Sequence, residues 1–205
     1  SSDRMNDITP PGFDALFRHN EDPWGFRTRW YEARKRAMTL ACLPQARYAS
    51  GFEPGCANGE LTAQLAGRCE RLLASDVSPR AVELARTRLA ALPHVEVVQA
   101  LLPDQWPRGR FDLVVISELG YFVDGPSLDA MASHTLACLL PAATVLACHW
   151  RRPIQGCAMD GDAVHARLAQ GLQLPQLCEV READFVLNVW SSDPKSVAQR
   201  EGFDW

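Results

Sequence analysis

No apolar run in the 205-residue sequence is long enough to cross a bilayer. No apolar leader core stands at its start either, so the expected setting is the cytoplasm. Basic charge is short: 21 Lys and Arg against 25 Asp and Glu leave −4 at pH 7, so no global basic field favours a nucleic-acid backbone. Seven cysteines (42, 56, 69, 138, 148, 157 and 178) include no Cys-x-x-Cys pair. An odd set, several of them in apolar surroundings, reads as buried reduced thiols in preference to a disulfide framework. Repeats and low-complexity tracts are absent too. Apolar residues, by contrast, make up 47% of the chain, enough for one domain with a sizeable core.

Breakers dominate the first stretch. Pro10-Pro11-Gly12 and Asp22-Pro23-Trp24-Gly25 make residues 1–26 read as irregular. Trp30, Ala33, Ala37, Leu40 and Ala41 then recur at helical spacing, which predicts a helix over 27–43 with Trp30 in the core. On that helix Glu32 and Arg36 would pair at i,i+4, and Arg34-Lys35-Arg36 would be a solvated face. From there strands alternate with helices. Strands are expected near 49–53, 71–76, 95–100, 111–117 and 143–150, and helices near 58–68, 79–92, 125–140 and 161–172. Ser78-Pro79 supplies a cap and a first-turn proline, and the apolar run 111–116 suits a central parallel strand. Residues 176–191 read as two extended segments without an intervening helix. The pattern predicts an α/β fold: one Rossmann-like domain with a mostly parallel, doubly wound sheet and an antiparallel edge hairpin. Residues 1–44 would be an irregular segment plus lid helix, and 45–205 the domain proper.

The stretch Glu53-Pro54-Gly55-Cys56-Ala57-Asn58-Gly59-Glu60 reads as a strand end, a small-residue turn and a helix start. Gly55, Ala57 and Gly59 would let a ligand approach the backbone, and Asp76 closes the next apolar stretch, where a Rossmann-like site keeps its ribose-binding carboxylate. Together they indicate a nucleoside pocket. A dinucleotide fingerprint would need a third glycine at position 60, and Glu60 is a poor neighbour for pyrophosphate. The pattern instead resembles the first motif of S-adenosylmethionine methyltransferases, Glu/Asp-x-Gly-x-Gly-x-Gly, with Ala57 at the middle glycine. That resemblance makes Glu53, Gly55, Ala57, Gly59, Asp76 and Val77 cofactor residues.

Ligands of open α/β sheets bind outside the carboxyl ends of the strands. This nominates Leu101 beside an adenine, and Ser117, Glu118 and Tyr121 directly after the central strand. His149, at the end of the fifth strand, would reach the same rim and could take a proton. Glu118, Tyr121 and His149 are therefore the catalytic candidates, with Glu118 or His149 as base. Trp24 is a candidate lid and Arg36 a candidate partner for a carboxylate. Cys157, Asp160, Asp162 and His165 match no zinc spacing, Asp162 suits a helix cap, and no metal is expected.

Taken jointly, these residues resemble the nodulation-protein-S group of bacterial methyltransferases. Asp22-Pro23-Trp24, Tyr31-Glu32, Glu53-Pro54-Gly55-Cys56, Ser117-Glu118-Leu119-Gly120-Tyr121, His149-Trp150-Arg151 and the Asp193-Pro194-Lys195 tail carry the likeness. It implies S-adenosylmethionine as cofactor and methylation of an amine or hydroxyl on a small polar acceptor. In the founding members that acceptor is an amino group of a deacetylated chitin-type oligosaccharide. Pro141-Ala142-Ala143 stands where many relatives have Pro-Gly-Gly. The competing readings are a nucleic-acid methyltransferase, a non-catalytic cofactor-binding module and a nicotinamide oxidoreductase. Against the first, Ser-Glu-Leu-Gly-Tyr replaces the Asn/Asp-Pro-Pro-Tyr-like motif of base-amino enzymes. No nucleic-acid or membrane partner is expected, and the oligomeric state stays open.

Overall fold

The computed structural model of the chain describes residues 9–204. Seven strands form one sheet: β1 (Tyr48–Pro54), β2 (Cys69–Asp76), β3 (Val95–Gln99), β4 (Phe111–Ser117), β5 (Leu139–Trp150), β6 (Gln176–Arg181) and β7 (Phe185–Ser191). Their order is β3-β2-β1-β4-β5-β7-β6. Neighbours from β3 to β5 are parallel, and β7 runs antiparallel to both β5 and β6. The expected edge hairpin is present, but its second strand lies inside the sheet. All seven residues of β7 are buried, whereas β6 is the edge.

The apolar run in β4 has its cause in the layers. Val114 and Ile116 join a core with Leu128, Val164 and Leu168 on one face, and Leu113 and Val115 join Leu65, Leu72 and Leu146 on the other. Side chains alternate faces along a strand, so a strand covered on both sides must be apolar at every step. Each fully buried Leu, Ile or Phe contributes about 1.5–3 kcal/mol. The covering helices are α1 (Pro10–His19), α2 (Trp30–Cys42), α3 (Glu60–Leu65), α4 (Pro79–Arg88), α5 (Gly125–Cys138) and α6 (Gly161–Leu172), and a short α7 (Val197–Arg200) follows β7.

Four expectations fail for physical reasons. Residues 10–19 are helical, because Thr9 caps α1 by accepting from Gly12 N–H and the two prolines occupy the first turn, where they lack no needed donor. Proline here starts a helix. On α2 the buried positions are Glu32, Lys35 and Thr39, while Trp30 is 76% exposed. The polar face looks inward, so Lys35 is not solvated and Glu32 pairs with Lys35 rather than Arg36. Asp160, not Asp162, caps α6, and Asp162 instead takes Arg151. Finally, β5 begins at Leu139 through an irregular entry. Between Phe111↔Leu139 and Leu113↔Thr144 the register jumps, and Ala142 takes a left-handed φ of 60°. That backbone is the reason a glycine suits this position.

No cysteine forms a disulfide. Among the described residues no helix is long and apolar enough to cross a membrane, and no His/Cys/Asp/Glu cluster is built to hold a metal.

Candidate functional site

Strand order reverses between β1 and β4. A cavity of about 650 Å³ opens there, outside the carboxyl ends of the strands, and α1 and α2 wall its outer side. Its first wall is the turn after β1. Gly55, Ala57 and Gly59 have φ of 72°, 50° and 87°, so three alternate residues are left-handed. Gly55 and Ala57 line the cavity, whereas Gly59 does not. Gly59 caps α3 with its backbone against Ala85, where a Cβ would come within 3.2 Å.

Asp76 fixes the turn: its carboxylate accepts from Ala57 N–H at 2.9 Å and from Ser78 N–H at 3.0 Å. Burial raises its pKa despite those donors. Glu53 is 3% exposed and accepts from the Thr62 hydroxyl at 2.6 Å. Burial, aided by the nearby Asp76 charge, pushes its pKa up to about 8, so it is mostly protonated at neutral pH. Val77 and the half-exposed Leu101 border the same end of the cavity.

Asn58, which sequence reasoning passed over, is fully buried behind the turn. Its amide donates to Glu21 C=O and to Asp22, whose carboxylate also accepts from Phe26 and Arg27 N–H. These bonds fold the Asp22-Pro23-Trp24 loop onto the turn. Trp24 packs edge-to-face on Phe17 at 5.5 Å and reaches the cavity from the α1 side. Arg36 lines it as well. One of its terminal nitrogens donates to Phe26 C=O at 2.7 Å.

The opposite end is ionic. Lys35, 5% exposed, sits between Glu32 Oε2 at 3.0 Å and Glu118 Oε1 at 3.2 Å. Burial alone would lower the Lys35 pKa, but the two carboxylates raise it. Glu118 follows Ser117, the last residue of β4, and adopts φ 55°, a left-handed conformation that costs a non-glycine residue about 1–2 kcal/mol. Its other oxygen accepts from the Tyr121 hydroxyl. Burial raises the Glu118 pKa, opposed by Lys35. The Tyr31 ring lies edge-to-face on Trp150 at 5.7 Å beside Lys35. Sequence reasoning gave Tyr31 no role and took Lys35 for solvated surface, because a charged turn of helix reads as surface.

His149 does not line the cavity. It is fully buried behind the Glu118–Tyr121 loop, with Nε2 accepting from Gly120 N–H, and burial holds its pKa well below the ordinary value. It cannot serve as the base at the rim. Four buried polar atoms on the cavity wall, by contrast, lack a partner: Tyr31 Oη, Arg36 Nε, Asn58 Oδ1 and Ser75 Oγ. Unpaired buried polar atoms are costly, and clustered around one cavity they fit a polar ligand that would complete them.

The sequence profile of Nodulation protein S (NodS) matches residues 14–173. The chain belongs to the nodulation protein S family. It is 31% identical to Nodulation protein S of Sinorhizobium fredii over 121 residues, 58% of this chain and 56% of that protein. With the Bradyrhizobium diazoefficiens protein it shares 32% over 128 residues, 62% and 61% respectively. These alignments span little more than half the length of either relative. Among solved structures, a Pseudomonas syringae protein assigned to the methyltransferases is 53% identical, covering 80% of this chain and 99% of that one with a TM-score of 0.72. The N-methyltransferase NodS from Bradyrhizobium japonicum WM9, in complex with S-adenosyl-L-homocysteine, superposes with a TM-score of 0.76 over 89% of this chain and 98% of its own at 23% identity. The architecture is the class I methyltransferase fold of this family.

Proposed function

We propose that the chain transfers the methyl group of S-adenosylmethionine to an amine or hydroxyl of a small polar acceptor, such as an amino sugar or oligosaccharide. The observation that carries this reading is one cavity with two unlike ends. At one end Asp76 and the glycine turn fit a nucleoside; at the other Lys35, Glu118 and Tyr121 form a buried proton-handling cluster.

S-adenosylmethionine supplies a methyl group activated by a positive sulfur. The residues then do the rest. Asp76 holds the ribose hydroxyls with lone pairs left over from its two backbone donors, and Val77 and Leu101 flank the adenine. Gly55, Ala57, Glu53 and Ser117 shape the floor, with Gly59 holding the turn from behind and Glu53 donating its proton rather than adding charge. Arg36 has a free Nε for the methionyl carboxylate, and Trp24 covers the mouth and excludes water. Orientation supplies most of the acceleration in such a transfer. Glu118, steadied by Tyr121 and Lys35, accepts the proton that an amine or hydroxyl must lose.

The test is calorimetric titration with S-adenosylhomocysteine, followed by turnover on a panel of amines and partly deacetylated chitin oligomers. Asp76→Ala should weaken binding about 100-fold, since a ligand hydroxyl bonded to a buried carboxylate contributes roughly 1.5–3 kcal/mol and the turn loosens as well. Unchanged affinity in that variant overturns the site. Binding without turnover on any acceptor leaves a cofactor-binding module instead of an enzyme.

A further inference from the structure

Behind the cavity wall three buried side chains, His149, His165 and Asn188, form a row that the methyl-transfer reading leaves unused. Gly120 N–H donates to His149 Nε2 at 3.0 Å, with Leu119 N–H 3.3 Å from the same nitrogen. His149 Nδ1 lies 2.9 Å from His165 Nε2, and His165 Nδ1 lies 2.6 Å from Asn188 Oδ1. Asn188 Nδ2 in turn donates to Gln176 Oε1 at 2.8 Å, on the edge strand.

The polarity of this row is determined from its first member. A backbone N–H can only donate, so His149 Nε2 is bare and its proton is on Nδ1. His165 Nε2 must then accept, which puts the His165 proton on Nδ1, aimed at an amide oxygen. One extra proton would set donor against donor. Burial, chiefly, holds both rings neutral, with His165 at about 4. The groups that face the pair are Tyr121 and Lys35 on the cavity side and Asp162, Glu179 and Arg181 on the α6 and β6 side.

What the row holds is the loop after β4. Glu118 is in the strained left-handed region, and a Cβ on Gly120 would come within 2.5 Å of Val164 Cγ1 and 3.3 Å of His149 Nε2. Leu119 packs on the glycine turn, where a Cβ on Gly55 would meet it at 3.0 Å. The loop therefore touches both ends of the cavity, and its amides are latched from behind. We propose that His149, His165 and Asn188 are positioning residues that lock the Ser117–Tyr121 loop in its cofactor-ready shape. The proposal rests on the cavity taking the cofactor and is independent of the acceptor.

The experiment uses the full chain with ¹⁵N-labelled histidine. Long-range ¹H–¹⁵N correlation at neutral pH should find both rings as the Nδ1–H tautomer. Calorimetry with S-adenosylhomocysteine should show His149→Leu weaker by about tenfold, the effect of one buried donor left unpaired. His149→Gln, whose amide can accept from Gly120 and donate to His165, should stay within about threefold. Asn188→Leu touches neither loop nor cavity, yet it should shift the His149 nitrogens and weaken binding in the same direction. An Nε2–H tautomer at His149 overturns the polarity, and wild-type affinity in folded His149→Leu or Asn188→Leu overturns the latch. Should His149→Leu fail to fold, Asn188→Leu and the tautomers decide. Should the wild type bind no S-adenosylhomocysteine, the cofactor reading fails; the tautomers and the Gly120 amide exchange rate in Asn188→Leu then decide whether the loop is latched.

Discussion

Replacing Lys35 with Met tests the ionic end of the cavity most directly, because it removes one charge and keeps the side-chain volume. Lys35 Nζ is 3.0 and 3.2 Å from two carboxylates. At an effective dielectric of about 20, each contact is worth about 5 kcal/mol before desolvation. Desolvating the three ions returns much of that, and breaking such a buried arrangement costs about 3–5 kcal/mol net. The Glu118 side chain is 19% exposed, which trims the expectation to about 2–4 kcal/mol. For a domain of this size that lowers Tm by about 5–15 °C. The pH dependence is the sharper signature. Burial already raises the Glu118 carboxyl, and removing Lys35 takes away the main opposition, leaving the Trp150 backbone donor. Folded Glu118 then keeps a proton above about pH 4.3, where the unfolded chain has released its own, so the variant loses stability as pH climbs. The wild-type-to-variant gap in Tm should be wide near pH 8 and narrow near pH 5. Adding Glu118→Gln to the variant should recover part of the loss, and the double-mutant cycle measures how much. A gap that is the same at both pH values, or below about 1 kcal/mol, refutes the coupling.

Two further outcomes follow from backbone and burial. Ala142→Gly should raise Tm by about 1–4 °C in a thermal scan: it removes a left-handed penalty of about 1–2 kcal/mol and returns about 0.4–1 through the freer unfolded chain. Glu53→Gln should bind S-adenosylhomocysteine as the wild type does at neutral pH, because Glu53 with a pKa of about 8 is already mostly neutral there. A raised carboxyl costs stability as pH rises from the unfolded value through the folded one. Chemical denaturation between pH 5 and 9 should therefore show a steeper downward slope in the wild type than in the variant, which keeps only the raised Asp76 and Glu118 carboxyls.

How far the sequence carries depends on whether local chemistry and tertiary role agree. In β4, in Ser78-Pro79 and in the glycine turn they do: burial on two faces demands an apolar run, a cap demands a hydroxyl, and a left-handed turn demands small residues. These elements were legible to within a residue or two. On α2 they conflict. The apolar spacing marks one face, with Trp30 76% exposed and Ala37 and Ala41 also open, while the ionic face is buried because the cavity uses it. Periodicity cannot see that inversion. His149 was placed at the rim from its position at a strand end, but alternation turns it inward, where His165 and Gly120 occupy both ring nitrogens. Prolines 10 and 11 were ambiguous for another reason: the same residue stops a helix from inside and starts one from the first turn.

The insertion of β7 between β5 and β6 has a cost during synthesis. Residues 139–150 emerge from the ribosome well before residues 185–191 that will pair with them. Until then one side of β5, including Val145, Leu146 and Ala147, is an unpaired apolar margin open to other nascent chains. Charge is sparse along it, so protection must come from speed or from a chaperone, and a slow-translating stretch between 150 and 185 should convert product into aggregate.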